Sequence, residues 1–296
     1  MATVADLVQD TRRRMSGMHR SEFNQLQSNI TDTQTQFNVI YAIGGIGAGS
    51  YIAIGDELIY VLGAVGSTKQ LTVLRGQLGT SQTTHNANDQ IEVNPRFPPF
   101  EIRATLTREI DSWPSSLYRT ASATLTMGAD DRTVDMTGLT PFRRVLEVLH
   151  QPRTGADYWI TMPSWRVQRN MDTTDYASGA ALFLPNFVGV SSGRSLRVTV
   201  AQAFDTSDMS DAVDTDDIGL TAEMLDIPTY GAAWRMLSTR EIKRTFTEAQ
   251  GEPRFAEEVP PGHMSQTALS LKTIRDQRIA EEARRLYEAY RPLQRA

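Results

Sequence analysis

Apolar positions along this chain change period several times, and each change marks an element. Residues 4–27 read as helix, with Leu7, Met15, Met18, Phe23 and Leu26 at apolar positions and Gly17 as a break. After a polar connector at 31–35 the pattern shortens to strands at 36–43, 51–54, 58–65, 70–74 and 90–93. These are β-branched or aromatic and are punctuated by Gly, Ser, Asp and Asn, which predicts a small antiparallel barrel. Pro95, Pro98 and Pro99 close that unit. Helical spacing returns at 100–113, where Ile102, Leu106, Ile110 and Trp113 share a face ahead of Pro114.

Strand patterning resumes at 123–127, 144–150, 159–162, 165–169, 180–184 and 195–203, and its short turns favour a β-sandwich. Beyond Asp205 the chain turns helical. Asp208 or Asp211 can cap a short helix, and residues 229–247 form a longer one with Ala233, Met236, Leu237 and Ile242 inward. A polar linker at 248–262, with Pro260 and Pro261, precedes a helix over 265–290 that ends at Pro292 and would be on the order of 38 Å long. The predicted fold class is α+β. It comprises an N-terminal helical segment (1–35), a barrel-like domain (36–98), a linking helix (99–120), a sandwich domain (121–205), a helical region with its Pro-rich linker (206–262) and a C-terminal helix or arm (263–296).

Composition removes several kinds of chemistry. The 296 residues include no cysteine, which excludes disulfides, thiolate catalysis and Cys-based zinc sites. A formal net charge of −5 argues against a chain whose main task is gripping nucleic acid. No run reaches the length of a membrane span, and the N-terminus carries no apolar signal-like stretch, so a bacterial cytoplasm is the expected place of synthesis.

Candidate chemistry is thin. The glycines between Gly44 and Gly49 lead into a strand, so no helix N-terminus is offered to a phosphate and a turn is expected. His19, His85, His150 and His263 have no metal-binding spacing. His85 alone lies in a loop rich in glycine and hydroxyls, where anchoring by a hydrogen bond is the expected role. The acidic series Asp205, Asp208, Asp211, Asp214, Asp216 and Asp217 lacks the ligand order of an EF-hand and reads as helix-start carboxylates. No catalytic residue, metal site or cofactor is predicted. Trp113, Tyr158, Trp159 and Trp165 suit carbohydrate stacking, but no carboxylate pair accompanies them.

Two features point to protein contact instead. Arg75, Gly76, Gly79, Thr80 and His85 form a compact loop between strands, shaped by its glycines and tied by its hydroxyls. The final helix carries one narrow apolar stripe, Ile279, Ala283, Leu286 and Tyr290, among Arg275, Arg278, Arg284 and Arg285. A stripe this narrow after a polar linker describes an arm with little core to join in its own chain.

Several segments together resemble the head-to-tail adaptor proteins of long-tailed bacteriophages. They are Asp56-Glu57-Leu58-Ile59-Tyr60-Val61 leading to Arg75-Gly76, Gly79-Thr80 and His85; Glu109-Ile110-Asp111-Ser112-Trp113-Pro114 with Leu117-Tyr118; Asp226-Ile227-Pro228 with Gly231-Ala232-Ala233 and Arg240-Glu241-Ile242-Lys243-Arg244; and Gln250-Gly251-Glu252-Pro253-Arg254 with the arginine-rich end. The resemblance implies a virion protein of the neck and no enzyme. It would be a ring of twelve copies that binds the portal through the C-terminal helix, passes double-stranded DNA without holding it, and meets a downstream neck, stopper or tail protein. The helical connector core would be residues 220–247 and 266–290, with the two β-regions added to it, decorating the neck or touching the major capsid protein. The RG-x-x-GT loop also resembles loops of tail components, so a tail, baseplate or neck-decorating ring stays open beside this reading, as does the carbohydrate-binding module.

Overall fold

A computed structural model describes residues 2–15, 22–127, 132–153, 155–162, 164–184, 194–248 and 263–290. The expected break at Gly17 with Met18, the linker from 249 to 262 and the stop at Pro292 lie outside these residues. The described chain is α+β, with antiparallel sheets and five helices, and its contacts group it into two compact units.

The first unit takes residues 1–110, 209–213 and 225–275. Helix α1 (Val4–Met15) opens on a reciprocal cap: Thr3 N donates to the Asp6 carboxylate at 2.9 Å, and Asp6 N reaches back to Thr3 Oγ1. Val4, Leu7, Val8 and Met15 face inward. Strands β1 (Glu22–Gln25), β2 (Gln36–Asn38), β3 (Tyr51–Ile54), β4 (Glu57–Val65), β5 (Gln70–Leu74) and β6 (Gln90–Val93) form one sheet in the order β1-β6-β3-β4-β5-β2. The sheet curls until its outer strands meet: Leu26 bridges Val39, Gln27 N donates to Asn38 O at 3.0 Å and Ile40 N to Gln25 O at 2.9 Å. Leu26, Ile52, Ile54, Ile59, Val61, Leu71, Val73 and Ile91 fill the hollow this curl encloses.

Residues 22–25 correct the helix expected there. Phe23 and Leu26 are spaced for a helix, but Glu22 to Gln25 pair residue by residue with Val93 to Gln90, and the ladder decides. Helix α2 (Pro99–Asp111) follows with proline at its first position and Ile102, Leu106 and Ile110 buried, as its spacing predicts.

The second unit takes residues 111–208, 214–224 and 276–296. Its strands are β7 (Arg119–Thr126), β8 (Thr133–Asp135), β9 (Arg144–His150), β10 (Ile160–Thr161), β11 (Arg166–Arg169), β12 (Ala180–Phe183) and β13 (Ser195–Gln202). They form a four-stranded sheet, β10-β9-β13-β7, and a three-stranded one, β11-β12-β8. Both sheets contribute to one cluster, with Val148, Val198 and Val200 from the larger and Val134 and Leu182 from the smaller. The expected strand at 159–162 shrinks to Ile160–Thr161, and β8 was not expected at all. Helix α3 (Thr215–Ile218) has Asp214 at its N-cap, without a side-chain bond, and Gly219 at φ 93° at its end. Asp208 and Asp211 therefore do not cap it, and Asp211 instead accepts from Arg103 in the first unit.

Helix α4 (Asp226–Glu248) belongs to the first unit and begins before its proline, because Pro228 in the first turn lacks only an N–H that would go unused there. Helix α5 (His263–Ala289) gives residues 263–275 to the first unit and 276–289 to the second.

Candidate functional site

Strand β4 begins at Glu57, β5 ends one residue before Arg75, and the loop between β5 and β6 returns past His85. The curl of the sheet brings these three side chains together in the interior. Arg75 grips the carboxylate with two parallel bonds, Nε to Oε1 at 2.7 Å and Nη2 to Oε2 at 2.6 Å. Gly76 N donates to Oε1 at 3.0 Å and Thr83 N to Oε2 at 3.2 Å. His85 Nε2 lies 2.8 Å from Oε2, and facing an ionised carboxylate it is the donor.

Burial alone would raise the Glu57 pKa, but the bonds from Arg75, His85 and the Thr83 amide outweigh it and hold it at about 2. The rest of the guanidinium is spent on the chain itself. Nη1 donates to Thr31 O at 2.8 Å and Gln34 O at 3.1 Å, and Nη2 to Thr83 O at 2.6 Å. Thr80 adds a brace, accepting from Leu58 N at 3.1 Å and donating to Gln77 O at 2.8 Å.

This arrangement corrects part of the expectation for the loop. Arg75 and His85 are buried and hold the loop from beneath, His85 through the hydrogen-bonded anchoring expected of it. The surface belongs to its tip. Gly76, Leu78 and Gly79 have φ of 62°, 52° and 83°, and Leu78 is 71% exposed. A left-handed leucine costs about 1–2 kcal/mol, and here it shields no core. On the outer face of the sheet Leu74 sits opposite Tyr60, whose ring meets Tyr51 edge-on at 5.1 Å, and a bulge in β4 turns Leu62 outward. The arrangement offers a stiff loop and apolar contact area, with its one carboxylate–histidine pair locked away from solvent.

The C-terminal helix departs further from expectation. The stripe read as free for a partner is turned onto its own chain. In the second unit Ile279 is buried, Ala283, Leu286 and Tyr290 are half-buried, and Tyr118 Oη donates to Leu286 O at 3.3 Å. Arg278 donates to Glu223 O at 2.7 Å, and Arg285 holds the buried Glu282 at 2.8 Å. In the first unit Arg275 Nε donates to Glu109 at 2.6 Å. Arg284 and Tyr287 face outward.

Sequence reasoning missed Glu109. It is fully buried on α2, held by Nε of Arg235 and Nε of Arg275 at 2.6 Å each. Gly231 of α4 lies against it, and a Cβ there would collide with the carboxylate. The available signal was its position beside Ile102, Leu106 and Ile110 on the apolar face.

Elsewhere the polar residues serve the fold. Arg12 binds Glu92 at 2.6 Å, Arg13 binds Asp10, and Arg14 lies 3.8 Å over the Tyr230 ring. Trp113 packs edge-on against Phe204, Arg197 covers Trp159, and Trp165 joins the core, which leaves Tyr158 as the one exposed ring of the four. Among the described residues no three His, Asp or Glu side chains are grouped to hold a metal, and no helix is long and apolar enough to cross a membrane. No family model matches this chain, and no curated protein does.

Proposed function

We propose that this chain is a structural protein of a tailed-phage virion, a head-to-tail adaptor whose copies form a ring of twelve between the portal and the downstream neck or tail. In this reading it is not an enzyme, the ring lines part of the DNA channel without gripping the duplex, and the two β-regions, the later one a β-sandwich, are additions to a connector core of α4 and α5. The loop tip supports it most directly: a buried ion pair stiffens a loop whose exposed residue is a left-handed leucine, and such an investment suits docking against protein. The motif series from Asp56 to the arginine-rich helix supports the portal side. Portal contact then falls to the outward face of α5, with Arg284 and Tyr287, while Arg275, Arg278, Ile279 and Leu286 hold the helix in place.

The test is the mass of the assembly with and without portal protein. A ring of twelve that joins portal rings supports the adaptor. Six or three copies without portal contact support a tail or baseplate ring, which the pinned loop on the β-unit also suits.

A further inference from the structure

Strand β7 ends the four-stranded sheet and, among the described residues, has a hydrogen-bonded neighbour on one side only, β13. The two pair over eight residues without a shift of register. Met127 N donates to Arg194 O at 2.9 Å, which sets the phase of the ladder. Antiparallel alternation then turns the main-chain N–H and C=O of Thr120, Ser122, Thr124 and Thr126 to the open side, and all four residues are exposed. Open edges are commonly guarded by proline, lysine or a bulge; β7 has none of these and carries no charge after Arg119.

The start of β7 walls an open groove of about 680 Å³, faced by Asp216 and residues 219–222 with Met224 and Leu286. In it the Arg119 guanidinium is under-satisfied. Its Nε–H has no acceptor, Nη1 reaches Asp217 O at 3.3 Å, and Nη2 lies 3.7 Å from Asp205. Gly219 makes room for the Arg119 stem, since a Cβ there would lie 2.6 Å from it.

We propose that β7 is a docking edge for an extended segment of a partner protein, which joins the sheet as an antiparallel strand and seats a carboxylate against Arg119. The open ladder demands extended backbone. Antiparallel addition brings the carboxyl end of the incoming strand to the start of β7, where a carboxylate meets the exposed part of the guanidinium in competition with Asp205, while Nε stays buried. Ala121 and Ala123 ask for no large side chain opposite them. This edge stands apart from the ring reading and survives its failure.

The experiment uses the full chain and two synthetic probes, acetyl-TVTVTVE with a free carboxyl terminus and acetyl-TVTVTVQ as its amide. The acid probe is expected to bind saturably, slow amide exchange across 120–126, and bind about tenfold more tightly than the amide. Arg119→Gln should bring the two probes to equal affinity. Thr124→Pro removes one outward N–H and leaves the β13 ladder untouched, so the folded variant should lose the probe. Should that variant fail to fold, an acid probe N-methylated at alternate residues replaces it and should not bind. The proposal is overturned by equal binding of both probes to the parent chain, by retained binding to folded Thr124→Pro or of the N-methylated probe, or by concentration-dependent protection of 120–126 in the chain alone, which would make the occupant a second copy.

Discussion

Arg75 and Glu57 form a two-pronged ion pair in which neither side chain is more than 1% exposed. Residues 18 positions apart thereby tie the start of β4 to the loop that follows β5. Removing one partner leaves a buried charge without its counterpart, which costs about 3–5 kcal/mol. Arg75→Ala should lower the unfolding free energy of the first unit, read from urea denaturation, by that order, and Glu57→Gln together with Arg75→Met should recover part of the loss. An Arg75→Ala chain as stable as the parent would refute the role assigned to this pair.

The same pair sets a dependence on acid. Glu57 titrates at about 2 when folded against 4.5 ordinarily, so its carboxylate stabilises the fold fully above 4.5 and progressively less as pH falls toward 2. The depression corresponds to roughly 3 kcal/mol. Urea midpoints between pH 6 and 2.5 should fall more steeply for the parent than for Glu57→Gln, and parallel slopes would contradict this.

Strands with regular local patterning were legible: 51–54, 70–74 and 90–93 match their predicted spans. Residues 22–25 were not, because Phe23 and Leu26 fit either period until Val93 supplies a ladder partner about seventy positions away. The loop at 75–85 was recognisable from its glycines and His85 from its setting as an anchor, yet nothing local says that Arg75 points inward, since its acceptor Glu57 sits on the neighbouring strand 18 positions earlier. The stripe on α5 is apolar as its spacing predicts, and it is partly covered within its own chain: Ile279 is buried, while Ala283, Leu286 and Tyr290 are half-buried. The groups that bond this part of the helix, Tyr118 and the turn at 221–223, are more than fifty positions distant, so no local pattern announces them.

Gly231 offers a reversal of sign. Gly→Ala inside a helix ordinarily stabilises by about 1 kcal/mol. Here the new Cβ meets the Glu109 carboxylate, fully buried between Arg235 and Arg275. Gly231→Ala should therefore destabilise, and Glu109→Ala in the same chain should remove the clash while also removing the carboxylate that Arg235 and Arg275 share. Thermal unfolding of the two single variants and the double variant reads the coupling: a double variant equal to the sum of its parts would show that the residues do not meet.

Leu78 separates folding from docking. It is exposed and left-handed, so replacing it with glycine removes backbone strain and uncovers no core. Glycine gains chain entropy on unfolding, which offsets part of that relief, so the net change in stability should stay within about 1 kcal/mol. If the tip is a contact with a neighbouring copy or a virion partner, Leu78→Gly should weaken assembly while thermal unfolding stays near the parent's. Leu78→Asn tests the side chain at constant backbone, because asparagine accepts the left-handed region while supplying no apolar surface. Both variants should lose assembly together in sedimentation or mass measurements. If they assemble like the parent, the loop is rigid for a reason internal to the sheet, and docking must lie on another face.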